Sequence, residues 1–223
     1  MDLNRVNKID DFVKVKNILV SVADKTNIES FIKNLLKINP EINIFSTGGT
    51  YTKINSFLDE KEKKNLKKVS EYTGQPEMQG GLVKTLDFKI YLGLLSETYN
   101  DFHKEDLKRT SAVEIDMVVC NLYPFEETIK KEGINIEDAR SNIDIGGPCM
   151  LRASAKNFLR VASVCDPKDY DKIIKELENN DGAISFDYRL KLSRKTFNHT
   201  ANYDKAISEY LLTATAEGVY NAE

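Results

Sequence analysis

An α/β fold with a mostly parallel sheet and helices on both faces is what this sequence predicts, and three observations carry the prediction. Short apolar runs alternate with helical patterns over residues 17–184. Each run ends in a segment rich in glycine, proline or hydroxyl side chains. Beyond Ser185 the strand pattern stops and a long helical stretch takes over. Strands that alternate with helices need crossover connections, which are right-handed and cover both sheet faces. The expected organisation is an N-terminal extension (1–16), an α/β domain (17–184) and a C-terminal helical appendage (185–223).

NILVSVADKT (17–26) reads as a strand that stops at Asp24, and Ile28, Phe31, Ile32, Leu35 and Leu36 then share one helix face. INIFSTGGT (42–50) is the next strand, with Ile54, Phe57 and Leu58 facing the core from the helix after it. The mixed-sign run DEKEKKNLKK (59–68) reads as a solvated helix end or loop. KIYLGLL (89–95), AVEIDMVVCNLYP (112–124) and RVASVCDP (160–167) are further strand candidates, the last closed by Pro167. The stretch SFDYRLKLSRKTFNHTANYDKAISEYLLTATA (185–216) reads as two helices or one broken helix, suited to a subunit interface.

Composition removes several classes of function. The 223 residues are 41% hydrophobic and 30% charged, with 32 Lys and Arg against 35 Asp and Glu, a net charge of -3. No global field draws in nucleic acid or an anionic membrane, so an anionic ligand must be held by local geometry. Three cysteines without CxxC spacing, beside two histidines, speak against a disulfide framework or a zinc site and fit a reducing cytoplasm. The charged N-terminus has no apolar core of a signal peptide, and no run of about 18 apolar residues occurs.

Ligands of such sheets gather beyond the carboxyl ends of the strands, where the punctuated segments fall. In STGGT (46–50) a glycine pair permits successive N–H groups to turn toward one point, and the helix that follows adds its positive end. With Thr47 and Thr50 beside it, this is a phosphate cradle; the plainer reading is a tight turn with Thr50 as helix cap. Ser21, Lys25 and Thr26 end the preceding strand, and GGLVKT (80–85) adds Lys84 and Thr85 after another glycine pair. In CNLYPF (120–125) Asn121 and Tyr123 stand at a strand end that Pro124 terminates. NIDIGGPCMLRASAKN (142–157) then presents Asp144, a Gly146-Gly147 turn, Pro148 in the first turn of a helix, and Lys156 at its far end. Asp144 either caps that helix or serves acid–base chemistry with the lysine.

Taken in order, VSVADKT, STGGT, VSEYTGQPEMQGGLVKTL, CNLYPFEETI, NIDIGGPCMLRASAKN and KTFNHTANYDKAIS closely resemble the inosine monophosphate (IMP) cyclohydrolase domain of the bifunctional enzyme that also carries AICAR transformylase. The resemblance runs from about residue 17 to 212. It implies a methylglyoxal-synthase-like fold, a homodimer, no metal or organic cofactor, and closure of formylaminoimidazole carboxamide ribonucleotide (FAICAR) to IMP in purine biosynthesis. It places phosphate and ribose contacts on Ser21, Lys25, Thr47, Gly48, Gly49, Thr50 and Thr85, with Cys120, Asn121, Ile145 and Gly146 also on the nucleotide. Ring closure would involve Lys84, Tyr123, Asp144 and Lys156. The transformylase half lies outside these residues, so the chain is expected to be either a stand-alone cyclohydrolase, with a separate AICAR transformylase as partner, or a piece of the bifunctional enzyme.

One loop departs from the family, which usually reads Gly-Arg-Val-Lys-Thr-Leu-His-Pro-Lys and then His-Gly. Here Leu82 replaces the Arg, Asp87 and Phe88 replace His-Pro, and Tyr91 and Leu92 replace His-Gly. The expectation is a lost cation and an added anion near the nucleotide, hence weaker affinity. Two other readings use the same fold. A methylglyoxal synthase needs a catalytic histidine near its phosphate loops, whereas His103 and His199 lie in no glycine-rich segment. A regulatory module of the carbamoyl phosphate synthetase kind would leave NLYPF and IDIGG without a purpose.

Overall fold

The computed structural model describes residues 5–76 and 84–221. Its centre is a five-stranded sheet of β2 (Asn17–Val22), β3 (Asn43–Ser46), β4 (Leu66–Lys68), β5 (Met117–Asn121) and β6 (Ala162–Val164), in the order β4-β3-β2-β5-β6 and parallel throughout. Alternation along the strands sends side chains to both faces, and both are covered. Ile18, Val20, Val22, Met117 and Val119 pack with α1 (Ile28–Ile38), α2 (Gly48–Phe57) and α9 (Tyr170–Asn179). Leu19, Phe45, Val118 and Cys120 pack on the other face with α4 (Phe88–Leu95) and α8 (Gly146–Lys156). This is the expected α/β class, with β5 buried along its whole length.

Shorter helices fill the connections: α3 (Val69–Thr73), α5 (Asp101–Thr110), α6 (Phe125–Thr128) and α7 (Ile136–Ser141). Two strands that the pattern did not reveal, β1 (Phe12–Lys14) and β7 (Ala183–Ser185), pair antiparallel in a separate two-stranded ribbon. Nor did it reveal β4, which lies inside the run read as a solvated loop. There Leu66 turns inward, while Lys67 and Lys68 stay exposed on a short, charged sheet edge.

Two expectations are corrected. KIYLGLL is the helix α4, not a strand, because Asp87 caps it and Ile90 and Leu94, one turn apart, bury together. Gly93 lets the backbone of 113–115 lie against it: a Cβ there would sit 2.4 Å from the Val113 carbonyl oxygen. The C-terminal stretch is one unbroken helix, α10 (Phe186–Thr213), rather than two. Its inward face is partly polar, with Ser193 Oγ donating to the Ala155 carbonyl (2.8 Å) and Thr196 Oγ1 to that of Ser163 (3.0 Å). These hydroxyls satisfy themselves on α8 and β6, so the helix packs closely without an apolar stripe.

Arg189, 1% exposed near the start of α10, fastens both chain ends to the core. Its guanidinium donates to the carbonyls of Asp10 (2.7 Å), Leu159 (3.0 Å) and Phe158 (3.1 Å). Replacing Arg189 with Met would strand several buried carbonyls at about 1–3 kcal/mol each. Urea unfolding of that variant should show a loss of about 3 kcal/mol or more, and a loss below about 1 kcal/mol would show that water or repacking satisfies those groups.

Candidate active site

The chain leaves β2 toward β3 and β4 on one side of the sheet and later returns to β5 and β6 on the other. The loops after β2 and β5 therefore part, and a crevice opens at their carboxyl ends. It measures about 420 Å³, within the roughly 300–1,000 Å³ of small-molecule sites. Ser21, Lys25, Thr47, Gly48, Gly49, Thr50, Lys84, Thr85, Asn121, Tyr123, Asp144, Ile145 and Gly146 all line it. The structure thus brings together thirteen of the fifteen residues expected at the site.

One wall is the N-terminus of α2. Thr47 occupies the cap position without making a capping hydrogen bond; its hydroxyl faces Ser21 Oγ at 3.3 Å instead. The first N–H groups of the helix have no partners within it, so they and the dipole's positive end are offered to the cleft. Gly48 adopts φ +46, and a Cβ on it would sit 3.0 Å from Lys84 Nζ, so the lysine closes over the turn. Lys25 Nζ also lies here, donating to the carbonyls of Ala23 (3.2 Å) and Val22 (3.3 Å). Thr50 is not the cap: its buried hydroxyl accepts the Val22 N–H (3.0 Å) and donates to the Val22 carbonyl (3.1 Å), tying α2 to β2. Thr26 is likewise engaged, its hydroxyl donating to Asp24 Oδ1 at 2.6 Å.

The facing wall is the N-terminus of α8. Asp144, just before it, accepts the Gly147 N–H on Oδ1 at 2.9 Å. Burial pushes this carboxyl above its usual range, although the Gly147 and Gly146 N–H groups pull the other way. A Cβ on Gly147 would stand 2.5 Å from Asp144 Oδ2, and one on Gly146 would stand 2.7 Å from Thr85 Oγ1. Both glycines are therefore required by close approach. Tyr123 and Ile145 project at the mouth, 58% and 59% exposed. Ser141, Asn142, Ile143 and Met150 also line it, and none of the four is singled out in the sequence as a ligand contact.

Two expected residues stand elsewhere. Lys156 ends α8 while Asp144 precedes its start, and the helix rises roughly 15 Å from Gly146 to Lys156 at about 1.5 Å per residue. The lysine is thus not brought to the aspartate. Cys120 is buried behind the cleft, its thiol 3.9 Å from the Gly147 carbonyl oxygen and held protonated by burial. It supports the turn from the sheet side. Asn121 has a role that spacing could not show: its side-chain amide accepts the Asp24 N–H and donates to the Asp24 carbonyl, both at 2.8 Å.

The altered loop is also corrected in part. Asp87 is 4% exposed and accepts the Lys89 N–H at 2.8 Å as the cap of α4, so it adds no anion to the cleft. Gly80, Gly81 and Leu82 lie outside the described residues. Among the described residues no group of three or more His, Cys, Asp or Glu could hold a metal, and no helix is long and apolar enough to cross a membrane.

Comparison with known proteins agrees with this fold. The MGS-like domain family matches residues 27–149, and the AICARFT/IMPCHase bienzyme family matches residues 154–222. The bifunctional purine biosynthesis protein PurH of Oenococcus oeni is 47% identical over 197 residues, 88% of this chain and 37% of that protein. Its namesake in Leptospira biflexa is 44% identical over 198 residues, 89% of this chain and 37% of the relative. The chain thus spans little more than a third of the length of these relatives. A solved structure described as the crystal structure of ForH superposes with a TM-score of 0.78 at 29% identity, covering 90% of this chain and 100% of that one.

If Asp87 is a helix cap, Asp87→Ala should cost about 1 kcal/mol of stability and leave affinity for IMP unchanged. Urea unfolding and calorimetric titration check the two halves; weakened binding without loss of stability would return the carboxylate to the cleft.

Proposed function

Because the chain belongs to the MGS-like domain family and also matches the AICARFT/IMPCHase bienzyme family, we propose that it is an IMP cyclohydrolase that closes FAICAR to IMP with loss of water. The observation that carries this reading is the convergence of two helix N-termini, neither capped by its own cap side chain, on one cleft. One suits a phosphate and the other holds a carboxylate at the place where the base would lie.

A phosphate against the Gly48 and Gly49 N–H groups, with Lys25 and Lys84 as counter-cations, would anchor the ribonucleotide at α2. Its imidazole then reaches toward Asp144, with the carboxamide and formyl arms side by side. Holding them in attacking geometry supplies much of the rate, since the reaction is intramolecular. The carboxamide nitrogen attacks the formyl carbon, a C–N bond forms, and the C=O electron pair moves to oxygen. Asp144 takes the proton leaving that nitrogen, and its burial makes it a stronger base than an ordinary carboxylate. Lys84 and Tyr123 stabilise the oxyanion and deliver a proton to it. The former formamide nitrogen then gives up its proton as the hydroxyl departs as water, leaving the closed ring.

This reading brings with it the homodimer and the cytoplasmic location that the resemblance implies. Phe88 and Leu95, two turns apart on α4 and exposed, offer an apolar face that a second copy would cover.

Incubation with FAICAR while following IMP absorbance tests the activity; no IMP at micromolar enzyme would overturn it. Lys84→Ala and Tyr123→Phe should each lower turnover tenfold or more. Gly49→Val separates binding from folding, because a Cβ there meets nothing within 4 Å beyond its chain neighbours and the backbone of its own helix. Its melting should match the parent while IMP affinity falls at least tenfold, and unchanged affinity would move the phosphate elsewhere.

Asp144→Asn keeps an acceptor for Gly147 and removes the base, so turnover should fall by about two orders of magnitude or more. A carboxyl whose folded pKa is raised is penalised in its charged form, a penalty absent at acid pH and present once pH exceeds that pKa. Near neutral pH the Asn variant should therefore melt no lower than the parent. In the parent, turnover should decline as pH falls through the raised pKa and Asp144 takes up its proton. An Asn variant with parental turnover would exclude Asp144 as the base.

A further inference from the structure

We propose that Tyr203, on α10 and outside the cleft, is a positioning residue that sets the orientation of Asp144 for ring closure; the inference rests on the cyclohydrolase reading. The Tyr203 hydroxyl accepts the Asp144 N–H at 2.8 Å across 59 positions of sequence. Asp144 in turn accepts the Gly147 N–H, so one relay runs from α10 through the aspartate to the first turn of α8. The phenol ring does a second job. It meets Phe125 edge-on, with centroids 6.3 Å apart, and Phe125 is 1% exposed at the start of α6. That ring immediately follows the Tyr123-Pro124 turn, so a single side chain backs both the loop that presents Tyr123 and the residue proposed as base. Tyr203 is itself 8% exposed, and burial holds its hydroxyl protonated.

Among the described residues of α10, Tyr203 is the one that bonds Asp144. The buried positions before it, from Arg189 to Thr200, serve the N-terminal segment, α8, β6 or the helix itself. Tyr210, further along, also meets Phe125 edge-on, with centroids 5.9 Å apart. It shares the packing role and provides a control for it. Because near-attack geometry tolerates little displacement, losing the hydroxyl alone should lower turnover while the nucleotide, anchored at α2, binds as before.

The experiment compares Tyr203→Phe and Tyr210→Phe with the parent in the full chain. For Tyr203→Phe the expected result is a turnover about tenfold lower, with KM and IMP affinity within about twofold and melting lowered only by the loss of one hydrogen bond. The acid limb of its pH–turnover profile should also shift, since that limb reports Asp144. Tyr210→Phe should match the parent in all of these. Parental turnover in a folded Tyr203→Phe would overturn the proposal, and so would equal losses of turnover, affinity and melting in both variants, which would mark a packing role only. If the parent itself closes no FAICAR, the cyclohydrolase reading fails on its own. Hydrogen exchange at the Asp144 amide then decides whether Tyr203 fixes this residue: exchange at least tenfold faster in Tyr203→Phe supports it, and unchanged exchange refutes it.

Discussion

The cleft depends on one side chain, Asn121, at the last position of β5. Its amide bonds both the N–H and the carbonyl of Asp24, and so joins the loop after β2 to the end of β5 where the two connections diverge. Among the described residues, these two bonds hold Asp24 against the neighbouring strand. Lys25 follows directly, so the clasp also sets where that lysine enters the cleft. A buried amide with both functions satisfied in this way specifies one arrangement.

The chemistry available there follows from what each helix end is denied. Thr47 turns its hydroxyl to Ser21 rather than to its own helix, and Thr50 spends its hydroxyl on β2. The first turn of α2 is left to a ligand. At α8 the opposite choice is made: Asp144 takes a backbone donor and is drawn partly out of water, which raises its basicity. An anion-seeking end and a carboxylate thus coexist in one crevice at a net charge of -3. Gly146 and Gly147 make the coexistence possible, since a side chain on either would strike Thr85 or Asp144.

Much of this was legible in the sequence, for identifiable reasons. β2, β3 and β5 are apolar runs buried on both faces, and the turns after them carry glycine or hydroxyl residues that close backbone approach requires. Short elements were not legible: β4 has one buried side chain among lysines, and β1 and β7 pair only through distant contacts. Apolar runs are ambiguous, and Asp87 as a cap, which decides for helix in α4, was instead read as an anion in the site. Lys156 was grouped with Asp144 by motif, although the rise of a helix keeps them apart. Tyr203 could not be linked to Asp144 at all, because a single hydrogen bond over 59 residues leaves no pattern in either segment.

The most direct test of the account is a crystal structure of the protein soaked with IMP. The account predicts the phosphate on the N–H groups of Gly48 and Gly49, with Lys84 beside it and the base between Ile145 and Asp144. A nucleotide seated instead in the second cavity, about 320 Å³ between Arg5, Tyr99 and Arg160, or a phosphate held away from α2, would contradict it.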